Sequence, residues 1–195
     1  SEKDTKVVVA MSGGVDSSVA AVMLKKQGYN VIGITLKLYN NSSVSKSKSC
    51  CAGIDIDDAK NVALKNDFQH VVLDYQDKFF DGVINNFVDS YSIGETPLPC
   101  VKCNQTVKFT DLLNEAKKIG ADALATGHYA VRKGSLKNAS LHKAKDFSKD
   151  QSFFLFATLQ DQLNYVRFPL GDFKKSEIRK LSKEYKLDVS DKPDS

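Results

Sequence analysis

No apolar run in this 195-residue sequence comes near the roughly 20 residues that a membrane-crossing helix requires; stretches such as Ala20 to Leu24 and Phe153 to Ala157 fall far short. The opening Ser1-Glu2-Lys3-Asp4 lacks the apolar core of a secretory signal. Cysteine is scarce, with four residues in two close pairs, which excludes a disulfide-stapled mini-protein. Neither sign of charge dominates: 28 Lys and Arg face 24 Asp and Glu, a formal net charge of +4. With 42% hydrophobic and 27% charged residues, a disordered polymer and a collagenous repeat are excluded as well. No internal repeat is present, and low complexity is confined to the Ser/Lys stretch around Ser42. What remains is a soluble globular chain, long enough for one α/β core to bury roughly 70% of its unfolded surface.

The small excess of positive charge is unevenly placed. Residues 1–97 carry a net −2 and residues 98–195 a net +6, so the second half is a candidate footprint for a polyanion, with a solvated surface as the plain alternative. Without a secretory signal the compartment reads as reducing and cytoplasmic, so the cysteines are expected to be reactive, metal-binding or buried thiols. Vicinal Cys50 and Cys51 suit neither a metal site nor a disulfide by spacing and read as small buried hydrophobes.

Along the chain, Lys6 to Met11 is a β-branched run that predicts a strand buried on both faces. Val15, Val19, Val22 and Met23 then recur at helical spacing up to Gly28, and Asn30 to Leu38 predicts a second strand. Strand, glycine turn, helix, strand is a right-handed βαβ unit. A polar loop at Tyr39 to Ser49 precedes a helix at Ile54 to Asn66, a strand at His70 to Tyr75 and a helix at Gln76 to Tyr91. A further helix at Asn104 to Ile119 leads to a strand at Asp122 to Thr126, and a hairpin is expected from Ala130 to Lys133 and Ala139 to Lys143. Helices are expected at Asp150 to Ala157, Gln160 to Val166 and Lys174 to Tyr185. The reading is a Rossmann-like, doubly wound parallel α/β domain over 1–145, with 146–195 as the helical start of a second region.

Ser12-Gly13-Gly14-Val15-Asp16-Ser17-Ser18 joins the first strand to its helix. Backbone N–H groups and the positive helix end converge there, and the glycines admit phosphate oxygens close to the main chain. The loop has no lysine and fits neither G-x-x-x-x-G-K-[ST] nor G-x-G-x-x-G. Asp16 would repel bare phosphate, which makes a bridging Mg²⁺ through Asp16 the physically reasonable companion. The segment resembles the PP-loop of ATP pyrophosphatases, which implies ATP as the nucleotide and adenylation as the chemistry.

A second segment runs Pro99-Cys100-Val101-Lys102-Cys103-Asn104-Gln105-Thr106-Val107-Lys108-Phe109. A helix starting near Asn104 puts Cys103 at its N-terminus, where the dipole and Lys102 or Lys108 lower the thiol pKa; a buried cysteine without chemistry is the rival. This segment, with A-T-G-H-Y at Ala125 to Tyr129, K-D-Q-S-F-F-L at Lys149 to Leu155, F-P-L-G at Phe168 to Gly171 and the final D-K-P-D-S, resembles the tRNA-specific 2-thiouridylase family in order along the whole chain. The resemblance implies ATP-dependent adenylation of the C2 oxygen of the wobble uridine of tRNA. Sulfur arriving as a cysteine persulfide then displaces AMP and leaves 2-thiouridine.

Carried over by position, the resemblance assigns the nucleotide to Ala10, Met11, Ser12, Gly13, Gly14, Val15, Asp16 and Ser17, with Leu36 and Gly127 beside it. It makes Cys103 the nucleophile, puts Leu98, Pro99 and Cys100 against the target base, and puts Lys149, Asp150 and Gln151 on the tRNA. The partners implied are tRNA and a sulfur-donor protein, with the enzyme a monomer. His128 invites an acid/base role but reads first as a structural residue after a strand.

Two departures stand out. Cys100 occupies a position where many members carry Asp, which leaves Cys100 and Cys103 as either a redox pair or two ligands of an iron–sulfur cluster. The chain also stops before the family's second cysteine, the one expected to carry the persulfide and then form a disulfide with the nucleophile, so it reads as an incomplete enzyme. The rivals are a PP-loop amide- or guanidine-forming synthetase, which needs no reactive cysteine, and a non-catalytic nucleotide-binding module.

Overall fold

The computed structural model describes residues 1–38, 53–85, 89–90, 92–94 and 109–193. Its centre is a parallel sheet of five strands in the order β3-β2-β1-β4-β7. The inner strands are β1 (Lys6–Ala10), β2 (Asn30–Lys37) and β4 (Ala123–Thr126); the edges are β3 (Gln69–Asp74) and β7 (Val166–Arg167). In β1 the consecutive valines Val7, Val8 and Val9 are all buried, because both sheet faces are covered. Helices α1 (Val15–Lys26) and α2 (Gly53–Lys65) cross from β1 to β2 and from β2 to β3.

Two hydrophobic cores show the winding. Val7, Val9 and Met11 face Val15, Val19 and Val22 of α1 and Ala59 and Val62 of α2. Val8, Ile34 and Leu124 face the other way, onto Phe109, Leu112 and Leu163. Alternate residues of one strand therefore serve opposite layers, the period-two rule applied to a sheet covered on both faces. The expected doubly wound architecture is the one observed.

The second layer contains α3 (Gln76–Phe79), which continues as a π-helical turn over Phe80–Asn85, α4 (Leu112–Lys118) and α5 (Gln160–Tyr165). The expected hairpin is an antiparallel pair, β5 (Val131–Gly134) and β6 (Ala139–His142), with Val131 opposite His142 and Gly134 opposite Ala139. The last helix, α6 (Lys175–Glu184), packs in the first layer, where Ile178 and the following Leu187 and Val189 join the core of α1.

Three expectations need correction. The expected helix from Gln76 to Tyr91 is not regular: after Gln76–Phe79 it widens into the π turn over Phe80–Asn85, and α-helical backbone returns at 89–90 and 92. Asp150 to Ala157 is no helix but a single 3-10 turn, Ser152–Leu155. Its Phe153 and Phe156 lie exposed and only Leu155 is buried, so no apolar stripe draws a longer helix onto the core. Asp150 also spends its carboxylate on the Ala144 amide (2.7 Å) and the Ser152 hydroxyl (2.7 Å). Finally, Val166 leaves the helix and, with Arg167, pairs with Leu124 and Ala125 as the fifth strand. Among the described residues no helix is long and apolar enough to cross a membrane.

Candidate nucleotide site

The chain runs from β1 outward to β2 and β3, then returns to add β4 and β7 on the other side. Strand order reverses between β1 and β4, and open α/β sheets bind ligands in the crevice beyond the carboxyl ends of the strands at such a point. The loop 11–14 after β1 and Gly127 after β4 both lie there. Position alone thus brings together two segments more than a hundred residues apart.

Gly13 and Gly14 have different reasons to be glycine. Gly13 has φ +76°, and a Cβ on it would stand 2.1 Å from the backbone oxygen of Asp55, so the turn lies directly on the start of α2. Gly14 has φ −85°, and a Cβ there would meet only Ser12 Oγ at 3.5 Å. Nothing among the described residues demands glycine at 14. A missing side chain over the end of α1 leaves the space that a ligand on the backbone needs.

The end of α1 is also chemically open. Gly14 is its N-cap residue, and among the described residues no side chain caps the helix. Ser17 Oγ turns back to accept from the Ser12 amide (3.1 Å), and Ser18 Oγ donates to the Gly14 carbonyl (2.8 Å), which fixes the loop from within. The uncapped N–H groups and the dipole of a 12-residue helix favour an anion here.

Asp16 is the one carboxylate in this turn, and the fold neutralises it. Lys175 Nζ, on the first residue of α6, lies 2.8 Å and 2.7 Å from its two oxygens, and the Tyr129 hydroxyl donates to Oδ1 at 2.7 Å. Tyr129 is held in turn by Gln151, whose side-chain oxygen accepts from the Tyr129 amide (2.9 Å) while its backbone N–H donates to the Tyr129 carbonyl (2.8 Å). The Lys175 amide donates to Asp146 (2.9 Å); this bond first, and the Ser148 hydroxyl next, hold the Asp146 carboxyl below the usual range.

A second lysine arrives from beyond α6. Lys192 Nζ donates to the Gly13 carbonyl at 3.2 Å and to Asp55 at 2.8 Å, and it pairs with Asp58. Burial acts to depress its ammonium pKa, but the bonds to Asp55 and Asp58 outweigh that and raise it. The lysine missing from the loop is therefore supplied twice by residues 159 and 179 positions away. Tyr129, Lys175 and Lys192 all lie in quoted words or expected helices, but nothing local marks them as partners of this loop.

The remaining expected residues fall as follows. Ala10 is the last residue of β1, and Met11 is buried with its amide donating to the Ile34 carbonyl (2.9 Å). Leu36 is buried near the carboxyl end of β2, in the second core. Gly127 packs on the first turn of α1, with 2.8 Å from an added Cβ to the Ser17 nitrogen. His128 shares a hydrogen bond with Thr126 Oγ1 (2.9 Å), and its ring lies between Phe109 and Phe168, as a structural histidine would. Lys149 is exposed, whereas Asp150 and Gln151 spend their side chains on the neighbouring backbone. Cys50, Cys51, Leu98, Pro99, Cys100 and Cys103 lie outside the described residues.

Both oxygens of Asp16 already carry donors, so this arrangement offers Mg²⁺ no free carboxylate there. Among the described residues no cluster of three His, Cys, Asp or Glu side chains stands ready for a metal.

The chain is 58% identical over 195 residues to the tRNA-specific 2-thiouridylase MnmA of Rickettsia peacockii (strain Rustic), covering 100% of this chain and 53% of that protein. The protein of the same name from Rhodospirillum centenum (strain ATCC 51521 / SW) is 57% identical over 194 residues, covering 99% and 50%. The chain spans about half the length of the curated relatives it matches. Among solved structures, NMN synthetase from Francisella tularensis superposes with a TM-score of 0.60 at 19% identity over 99% of this chain and 67% of that one. A 4-thiouridine synthetase in complex with RNA and ATP gives 0.59 at 20% identity over 97% and 43%. At such identities these two likenesses establish the fold alone. A sheet reversal, a glycine loop and an open helix end also recur across unrelated activities, so membership rests on sequence: the tRNA methyl transferase HUP domain profile matches residues 5–195, and the chain belongs to that family.

Proposed function

We propose that this chain is the ATP-binding part of a tRNA 2-thiouridylase. The observation that carries the reading is the first turn of α1, uncapped among the described residues, at the strand reversal, in a chain 58% identical along its whole length to a protein of that name. The backbone N–H groups of 13–17 hold the polyphosphate, and Gly14 gives it access. The C2 oxygen of the target uridine attacks the α-phosphorus of ATP and pyrophosphate leaves. The terminal sulfur of a cysteine persulfide then attacks C2, the C2–O bond breaks and AMP departs. The Cys103 thiolate next attacks the sulfur of the carrier cysteine, the S–S bond breaks, and 2-thiouridine is released as the two cysteines join in a disulfide.

In this reading Cys103 is the nucleophilic cysteine, and Leu98, Pro99 and Cys100 meet the base. Lys149, Asp150 and Gln151 face the tRNA, and Leu36 and Gly127 border the nucleotide. Mg²⁺ would accompany ATP. A sulfur-donor protein, a monomeric enzyme and a bacterial cytoplasmic setting complete the proposal. Cys100 and Cys103, spaced C-x-x-C, form a redox pair or hold an iron–sulfur cluster; iron and sulfide analysis after anaerobic isolation decides between them.

The test is pyrophosphate exchange into ATP, with and without tRNA, together with mass analysis of the tRNA nucleosides, on the intact protein. Exchange that requires tRNA and formation of 2-thiouridine, with Cys103→Ser losing thiolation but keeping ATP binding, is the expected result. Product carrying an added methyl group in place of sulfur, or full thiolation by Cys103→Ser, would sink the proposal.

A further inference from the structure

We propose that Lys175 is a positioning residue of the nucleotide loop, cancelling the charge of Asp16 so that the first turn of α1 accepts a polyphosphate. The inference rests on the reading of this loop as a triphosphate site. From Met11 to Ser18 the only charged residue is Asp16. A helix N-terminus carries about half a positive charge, which one carboxylate in the same turn overrides. Left alone, the turn would repel the anion that its open amides suit.

Lys175 reverses that balance. Its ammonium reaches both oxygens of Asp16, and the two side chains are only 12% and 23% exposed, so water screens the pair weakly. Tyr129 reinforces the arrangement from the other side, with its hydroxyl on Oδ1 and its ring centroid 5.7 Å from the Lys175 ammonium. Asp146 fixes the start of α6 through the Lys175 amide, and fully buried Ile178 anchors that helix on the core. Gln151, Asp146 and Lys175, from three successive segments, thereby serve a single carboxylate. Pairs of this kind add little net stability once desolvation is counted, so their location in the anion-binding turn is what gives them a use.

The test measures ATP and AMP binding by calorimetry on the intact protein, with a chelator present so that metal ligation by Asp16 contributes nothing. Lys175→Met is expected to weaken ATP binding roughly tenfold or more, since an unpaired carboxylate then faces the phosphates, and to leave AMP binding within about twofold. Lys175→Arg keeps the charge and stays close to wild type. The double variant Asp16→Asn/Lys175→Met recovers most of the ATP affinity, because the repulsion and its remedy are removed together. Wild-type ATP binding by Lys175→Met, an equal loss for ATP and AMP, or a double variant as weak as Lys175→Met would each overturn the inference. Should Lys175→Met fail to fold, the double variant carries the test: near-wild-type ATP binding supports the inference, and a tenfold loss overturns it. A wild-type protein that binds no ATP would instead overturn the reading of the loop.

Discussion

Gly127 lies directly on Ser17: a Cβ at residue 127 would stand 2.8 Å from the Ser17 amide nitrogen and 3.0 Å from its Cα. The end of β4 thus sets where α1 begins. Gly127→Ala must push the first turn of the helix aside, and overpacking of this kind costs about 1–3 kcal/mol. The expected outcome is a lower midpoint in thermal unfolding together with weaker ATP binding. An alanine variant unchanged in both would contradict the contact.

Gly13 and Gly14 should separate folding from binding. Gly13→Ala meets the Asp55 backbone at a positive φ and is expected to destabilise the protein by more than about 1 kcal/mol. Among the described residues Gly14→Ala meets nothing closer than 3.5 Å, so its unfolding midpoint should stay near wild type while ATP affinity falls. Paired denaturation and binding measurements check this; equal Tm losses in the two variants would show that Gly14 has a structural reason after all.

Lys192 ties the loop to α2 through the Gly13 carbonyl, Asp55 and Asp58. Lys192→Met leaves two carboxylates facing each other and should cost about 1–3 kcal/mol at neutral pH. Because the folded pKa of Lys192 is raised above its ordinary 10.5, its contribution is complete below that pH and is lost as pH rises through the folded value. Urea unfolding at pH 8 and above 10.5 should show the gap between wild type and variant closing at the alkaline end. A gap independent of pH would count against the ion cluster.

His70 gives an acid-side dependence. Burial first, and then the nearby Lys60 charge, hold its pKa below the ordinary 6.5, while its Nε2 shares a hydrogen bond with buried Thr35 (2.8 Å). The unfolded chain therefore takes up the proton at higher pH than the folded one. The resulting stability is full above about 6.5 and is lost as pH falls through the lower folded value. His70→Gln should flatten the unfolding free energy between pH 7 and 5, as read by urea titration at each pH. A variant with the wild-type slope would assign that slope to other groups.

Much of the fold was legible because its signals are local. The valine run of β1, the glycine turn and the periodicity of α1 lie within about twenty consecutive residues, and the β5–β6 hairpin brackets its own turn. Val166–Arg167 was not legible as a strand, since two residues show no alternation and only pairing with Leu124 and Ala125 defines them. The turn at Ser152–Leu155 was overread as a helix because Phe153 and Phe156 are apolar but lie exposed.

By itself the sequence determined that a glycine turn opening a helix follows the first strand, because two glycines and a helix start act on the backbone over a few residues. Only the tertiary structure decided how that turn can tolerate its own Asp16. Tyr129, Lys175 and Lys192 reach it from 113 to 179 positions away. Charge pairing depends on distance in space, and that distance is set only when the sheet has closed and α6 has packed on α1.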